Sequence, residues 1–392
     1  MLIDYVSTAM DARDFAELFP DKDRMPGQQA QKYNRLMIQG IAGNEVDVHA
    51  ISGPPVTSGN CGKKYLRPFS RKDGRITYRY GSVLNVRGIK ILWQMMSAYR
   101  AVRKDARKES TAVVCDVLNA SIAYGAALAA KRAHIPCIGI VTDLPELMVT
   151  GTRQDHVRLV RKVLDHCTGY VLLTEAMDGP VNPAHKPYVI VEGLCDVNMR
   201  MAEKKPASGV RTCMYAGLLD ARYGVKAMVE GFLLAKVPNA ELHLYGNGPY
   251  VDELKEIAGK HPEVIYHGVV MNEEVVSAEL EASLLVNPRP THEEFTKYSF
   301  PSKNMEYMAS GTPVLTTKLP GMPADYYPYV FLIDDESTEG LAKAYREVLG
   351  RTDEELREKG SRAKQFVLEK KNNIAQTKKL LQLIQKQGSI GI

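Results

Sequence analysis

Short apolar runs rich in β-branched residues alternate with segments of helical spacing along nearly all of a 392-residue chain. The runs read as strands at 3–7, 46–52, 112–117, 137–143, 169–175 and 188–193. A second series follows at 211–217, 240–246, 264–269, 282–288, 312–317 and 330–334. Between them lie stretches such as SIAYGAALAAKRAHI and VKAMVEGFLLAKV, with apolar residues at i, i+3 and i+4. Strands that are apolar throughout and separated by helices belong to parallel sheets covered on both faces. The fold class is therefore α/β, doubly wound. The chain is too long for one core and fits two domains of roughly 150–200 residues.

The polar stretch NMRMAEKKPASGV divides the two strand series, so the expected organisation is a first domain over 1–197, a linker over 198–210 and a second domain over 211–362. Residues 363–392 remain. Their core, AKQFVLEKKNNIAQTKKLLQLIQK, reads as one long amphipathic helix with no strand after it, which either caps the second domain or runs back onto the first. In paired doubly wound domains, ligands bind beyond the carboxyl ends of the strands, in the cleft where the domains face each other. Chemistry is sought there.

Composition narrows the classes. At 45% apolar, 25% charged and 7% aromatic residues, disorder, collagen and coiled coil are excluded. No apolar run approaches the roughly 18–20 residues of a membrane span, and MLIDYVSTAMDARDF lacks a basic start followed by an apolar stretch. The expectation is a soluble, cytoplasmic protein. Cys61, Cys115, Cys137, Cys167, Cys195 and Cys213 form no C-x-x-C pair and sit in settings such as AVVCDV and HIPCIGIV, which read as buried reduced thiols. No metal site is expected.

Net charge is +5, yet residues 63–108 hold fourteen Lys and Arg against only Asp73 and Asp105, so the rest of the chain is net acidic. A field so concentrated attracts something anionic. The same stretch contains GIKILWQMMSAYRAVRKDARK, whose Ile91, Leu92, Met95, Met96, Tyr99 and Val102 are expected to lie largely in the core, leaving a cationic flank to rest on anionic lipid head groups. An anionic acceptor or plain solvation are the other readings. No nucleic-acid module accompanies the charge, and no nucleic-acid partner is expected.

The segment YSFPSKNMEYMASGTPV (298–314) carries the strongest chemical signal. A Pro-bearing loop leads into a helix near Ser302, a good N-cap residue, and Lys303 and Glu306 share a face three residues apart. Ser310-Gly311 stops the helix and Pro313 opens a strand. A helix start plus Lys303 suits a phosphate, and a carboxylate one turn deeper can accept hydrogen bonds from vicinal hydroxyls such as those of ribose. The alternative is an exposed helix with an ordinary Lys–Glu pair.

EYMASGTPVL with the preceding FPSK resembles the donor-site helix of retaining glycosyltransferases built of two facing Rossmann-like domains, the GT-B fold, and in particular glycosyltransferase family 4. The resemblance runs through the second domain in RTCMYAGLLDARYGVKAMVEGF, AELHLYGNGPYVDEL and VIYHGVVMNEEV. In the first domain it is carried by PGQQAQKYNRLMIQGI, YVLLTEAM and YVIVEGLCD.

It implies a metal-independent transfer of a sugar from a nucleoside-diphosphate donor, most naturally UDP-linked, to a cell-surface glycan or lipid-linked acceptor at the inner face of the membrane. No cofactor is needed. Glu306 matches the second glutamate of the family's E-x(seven)-E motif, which binds ribose. The first falls on Tyr298, which leaves the sugar-facing role to Tyr298 itself, to Glu293 or Glu294, or to amides near Ser299. Gly217 opens the first loop, but the family's two cations there are replaced by Leu218 and Tyr223, so Arg222 and Lys303 are the candidates for the diphosphate. Charge on the departing diphosphate is then met by cations and helix-terminal amides.

Gly246, Asn247 and Gly248 follow a strand in a G-x-G pattern without its third glycine, a weak dinucleotide signal that the resemblance places near the base. On the acceptor side, Asp116, Asn119, Asp143 and Glu146 end strands, with Gly27, Gln28 and Tyr33 on the first loop and helix. Asp143 is the first-domain catalytic candidate, a helix N-cap being its plain alternative. The only D-x-D triplet, 21–23, lacks a strand before it and reads as solvated surface. A nucleotide-sugar epimerase of similar shape and a non-catalytic pseudo-transferase subunit are the rival functions.

Overall fold

The computed structural model describes residues 1–21, 24–86, 88–108, 110–146, 154–198 and 209–388. Two of the three D-x-D residues, Arg87 of the basic stretch, and 199–208 of the expected linker lie outside them. The chain forms two units, Met1–Asp196 joined by Asn372–Ile392, and Val197–Lys371.

The first unit is built on an eight-stranded sheet. Across it run Tyr188–Ile190, Gly169–Leu172, Cys137–Val141, Ser110–Asp116, Leu2–Ser7, Asp47–Ser52, Ile76–Tyr80 and Phe69–Asp73. Every pairing is parallel except the last, where Phe69–Asp73 and Ile76–Tyr80 make a hairpin. That hairpin was not expected, because FSRKD is charged and exposed on the sheet edge and carries no apolar run. Helices Gln28–Gly43 and Asn373–Gly388 cover one face, and Met37, Ile38, Ile41, Leu380 and Ile384 pack with Ile3, Tyr5, Val48 and Val114. Gly40 is obligatory there, since a Cβ would stand 2.2 Å from the Asn373 carbonyl oxygen.

The second unit has a fully parallel six-stranded sheet in the order Val264–Gly268, Ala240–Asn247, Arg211–Leu218, Leu284–Asn287, Val314–Thr317, Phe331–Ile333. Cys213, Leu242, Leu284, Val286 and Leu315 fill the sheet side of its core, and Met228, Phe232, Leu341 and Tyr345 fill the helix side. Both units are Rossmann-like.

Two expectations are corrected. The long helix over 363–386 is two helices, Asp353–Lys370 and Asn373–Gly388, and the boundary between units falls at 371/372 instead of 362/363. The first helix stays in the second unit because Gly360 packs directly on the Gly311 carbonyl and the Lys371 ammonium pairs with Asp325 at 2.8 Å. The Asn372 side chain then accepts from the Ala375 amide at 2.8 Å, capping a new helix that belongs to the first unit. The apolar stripe of helix Lys90–Ala106 is also divided: Val102 is buried with Gln94, Ala98 and Asp105, whereas Ile91 and Leu92 are each 56% exposed and Met96 38%.

Candidate functional site

Strand Arg211–Leu218 and helix Ser302–Ser310 meet at one peptide of the second unit. The Ala216 amide donates to the Tyr307 hydroxyl at 3.1 Å, and the Lys303 ammonium donates to the Ala216 carbonyl. Two side chains one turn apart thus dock the helix onto the strand end. Gly217 makes room, since a Cβ there would stand 2.5 Å from Lys303 Nζ. The ammonium also lies 5.8 Å from the Tyr215 ring centre.

Burial holds the Lys303 ammonium below the usual lysine range, partly offset by the charges of Glu306 and Glu279, and the charge of Arg289 pushes it the same way as burial. Glu306 is exposed on the same helix, within electrostatic reach of Lys303. Ser302 is the first helical residue and does not cap; Pro301 holds that position, and no side chain caps the helix start. The amides there remain without a side-chain acceptor.

Arg289, which the sequence reading did not single out, completes the cationic cluster. It follows strand Leu284–Asn287, with its guanidinium carbon 5.1 Å from the Tyr223 ring centre and 5.6 Å from that of Phe295. Burial lowers its pKa, and no acidic partner faces it among the described residues. A half-buried guanidinium held by aromatic faces is a strong anion ligand, because its charge is poorly hydrated. Arg222 is different. It is exposed and committed to Asp220 at 2.8 Å, whose other oxygen accepts the Arg222 amide at 2.9 Å.

The glycine-rich turns hold the strand ends together. A Cβ on Gly246 would overlap the Gly217 carbonyl, one on Gly248 the Leu219 carbonyl, and one on Gly224 the Pro288 carbonyl. The last of these seats the loop of Tyr223 against the strand end that precedes Arg289. Asn247 is exposed, and its side-chain oxygen accepts from the Gly248 amide. In the loop before the helix, Ser299 spends its hydroxyl on the Phe295 carbonyl, Tyr298 is half-buried at the end of the short turn Glu294–Lys297, and Glu294 is exposed.

In the first unit, Asp116 is buried and saturated: it accepts from Asn34 at 3.0 Å, Asn119 at 2.6 Å and the Leu118 amide at 3.1 Å. Asn34 in turn accepts from the Tyr5 hydroxyl at 2.6 Å. Asp116 therefore shapes the strand-end turn instead of presenting a free carboxylate. The buried Tyr33 hydroxyl has no partner, Gly27 precedes helix Gln28–Gly43 without a capping side chain, and Gln28 is exposed. Asp143 lies within electrostatic reach of Asp116 and begins no helix, and desolvation followed by the Asp116 charge raises its pKa. Glu146 is tied to Arg161 at 2.6 Å.

The comparisons with known proteins follow this geometry. Residues 210–351 match the family model of glycosyl transferases group 1. The matched residues all fall within the second unit. No curated protein matches the chain in sequence. Among solved structures, a sucrose-phosphate synthase from Thermosynechococcus elongatus is 13% identical over 100% of both chains with a TM-score of 0.65. HepE from Anabaena in complex with UDP is 13% identical over 98% of this chain and 99% of its own, with a TM-score of 0.61. TarM is 12% identical over 98% of both, with a TM-score of 0.64. These likenesses span both units and give the GT-B fold. Lys303, Arg289 and Gly217 all lie within the residues that match the family model.

Proposed function

We propose that the chain is a retaining, metal-independent glycosyltransferase that moves a sugar from a UDP-sugar to a glycan or lipid-linked acceptor. The observation that carries this is the pair of desolvated cations, Lys303 and Arg289, beside the uncapped start of helix Ser302–Ser310 in a group 1 glycosyltransferase domain. A diphosphate bound there meets two charges and the helix-terminal amides, and the same groups stabilise the charge that grows as it departs. Glu306 takes the ribose hydroxyls. The turn of Gly246, Asn247 and Gly248 borders the base, and the segment of Glu294, Tyr298 and Ser299 faces the donor sugar. Arg222 assists from the rim.

Leu218 and Tyr223 in place of the family's loop cations favour a non-catalytic subunit only while nothing replaces them. Lys303 and Arg289 replace them. That HepE has been solved with UDP and with UDP-glucose supports UDP as the carrier.

The first unit takes the acceptor, with Gly27, Gln28, Tyr33 and Asn119 around Asp116 and with Asp143 orienting the acceptor hydroxyl. Its helix Lys90–Ala106 presents one outward stripe, Leu92, Met96, Arg100, Arg103 and Arg107, apolar in the first turns and cationic in the last. A groove of about 670 Å³ beside the cationic end is lined by Tyr99 and six Lys or Arg. This stripe docks on an anionic leaflet, each cation contributing about 1 kcal/mol.

The experiment is calorimetric titration with UDP, GDP and ADP, followed by donor hydrolysis without acceptor. UDP binding and slow UDP-glucose hydrolysis, both weakened roughly tenfold or more in Lys303→Met, support the reading. Absence of binding by any nucleotide sinks it, and an epimerised donor would point to the epimerase.

A further inference from the structure

A cavity of about 360 Å³ opens in the first unit, and none of Asp116, Asn119 and Asp143 lines it. It lies where two neighbouring parallel strands end, at Ser52-Gly53 and Tyr80-Gly81, under helix Lys90–Ala106. Its size falls within the range of small-molecule sites, roughly 300–1,000 Å³.

The chemistry of the walls is selective. Arg79 is the one charged residue lining the cavity among the described residues, and its guanidinium is committed to Asp105. An ionic ligand would find no free counter-charge. Hydroxyl chemistry is abundant instead. Ser52 is 2% exposed and its Oγ has no partner among the described residues, an arrangement that buried hydroxyls avoid unless something polar arrives. Ser97 faces the same space, left open by Gly81, where a Cβ would stand 2.7 Å from Ser97 Oγ. The Gln94 side-chain oxygen accepts from the Ser121 hydroxyl at 3.2 Å, which leaves its amide group to donate.

The apolar part complements this. Phe69 is half exposed, with its ring 4.2 Å from that of Tyr80, and Ile122 and Ala101 line the same cavity. An aromatic face flanked by groups that both donate and accept suits a ring with C–H on its faces and hydroxyls at its edge.

We propose that this cavity binds an uncharged pyranose unit of the acceptor, one other than the unit whose hydroxyl Asp143 orients. The proposal rests on the glycosyltransferase reading, yet it involves none of the donor residues, so the two can fail separately. Saturation-transfer NMR on the full chain tests it with methyl glycosides of glucose, galactose and N-acetylglucosamine, and with glucuronate as the charged control. UDP titration of the same samples reports the donor site.

At least one neutral glycoside is expected to bind, glucuronate at least tenfold more weakly. Ala101→Phe, which fills the cavity, is expected to weaken the glycoside tenfold or more with UDP affinity unchanged. Ser52→Ala, which removes a single oxygen, is expected to weaken it several-fold and serves should the larger variant misfold. The proposal is overturned if no neutral glycoside binds, if glucuronate binds equally well, or if neither variant alters binding while UDP still binds. Loss of UDP binding in the unaltered chain would instead overturn the donor reading.

Discussion

The Lys303 ammonium occupies the space that a side chain on Gly217 would need, 2.5 Å from the position of the missing Cβ. The two residues are 86 positions apart and belong to different elements, so the strand end and the helix are shaped for each other. Gly217→Ala therefore has a defined consequence: the ammonium must leave the Ala216 carbonyl and swing away from its site. UDP affinity is expected to fall about tenfold, the range of one charge-assisted hydrogen bond at roughly 1.5–3 kcal/mol. Titration calorimetry would show it, with the fold intact by circular dichroism.

In the proposed donor site Lys303 and Arg289 share one diphosphate, and the charge of Arg289 acts against that of Lys303. Lys303→Met and Arg289→Met are each expected to lower kcat/KM by roughly ten- to a hundredfold. Because the two share one ligand, the double variant should depart from additivity by about 1 kcal/mol. Arg289→Met should be at least as stable to heat as the parent, since it removes a buried charge that no acidic residue faces among the described residues, whereas Lys303→Met also loses the bond to the Ala216 carbonyl and the charges of Glu306 and Glu279. A loss of stability in Arg289→Met would mark that cation as structural.

Stability should fall between pH 6 and pH 9, for a reason located in the first unit. His49 hydrogen-bonds Asp105 at 2.9 Å and lies 3.7 Å from Asp4, and these partners raise its pKa to about 9 from 6.5. The folded state holds that proton more tightly than the unfolded state. Its contribution is complete below about pH 6.5 and is lost as pH rises through 9. Burial raises Asp4 to about 6, so its own contribution likewise disappears as pH climbs from about 4 past 6. Arg79 pairs with Asp105 in the same cluster. Thermal melts across pH 5–9.5 should show a decline that Asp4→Asn flattens below pH 7 and His49→Gln flattens above it.

Gly40→Ala should destabilise the first unit and spare the second. The new methyl group would meet the Asn373 carbonyl, forcing helix Asn373–Gly388 off helix Gln28–Gly43. A cost of about 1–3 kcal/mol is expected. In calorimetry the transition of the first unit should move down alone, with UDP-induced stabilisation of the other transition retained.

The alternating strands and helices, and the helix at 302–310 with Lys303 and Glu306, were legible because each rests on local spacing. Arg289 was not. In NPRP it is one arginine among many, and its value comes from Tyr223, a residue 66 positions earlier that shields it from water. Arg222 looked the better ligand in sequence, yet Asp220, two residues before it, already claims its guanidinium. The helix at 90–106 misled for a related reason. Periodicity shows that apolar residues share a face, but Ile91, Leu92 and Met96 lie where no second element arrives to cover them.

The split of the first unit in sequence has a consequence for biogenesis. Cys195 and Asn372 form a parallel bridge, with the Asn373 amide on the Cys195 carbonyl at 2.9 Å, so the polypeptide leaves and re-enters that unit at one spot. Leu380 and Ile384 belong to the core begun by Ile3. During translation the second unit, contiguous from 197 to 371, can reach its native state while the amino-terminal half still waits for its closing helix. The half made first is finished last, and until then its exposed apolar floor is what a chaperone would meet.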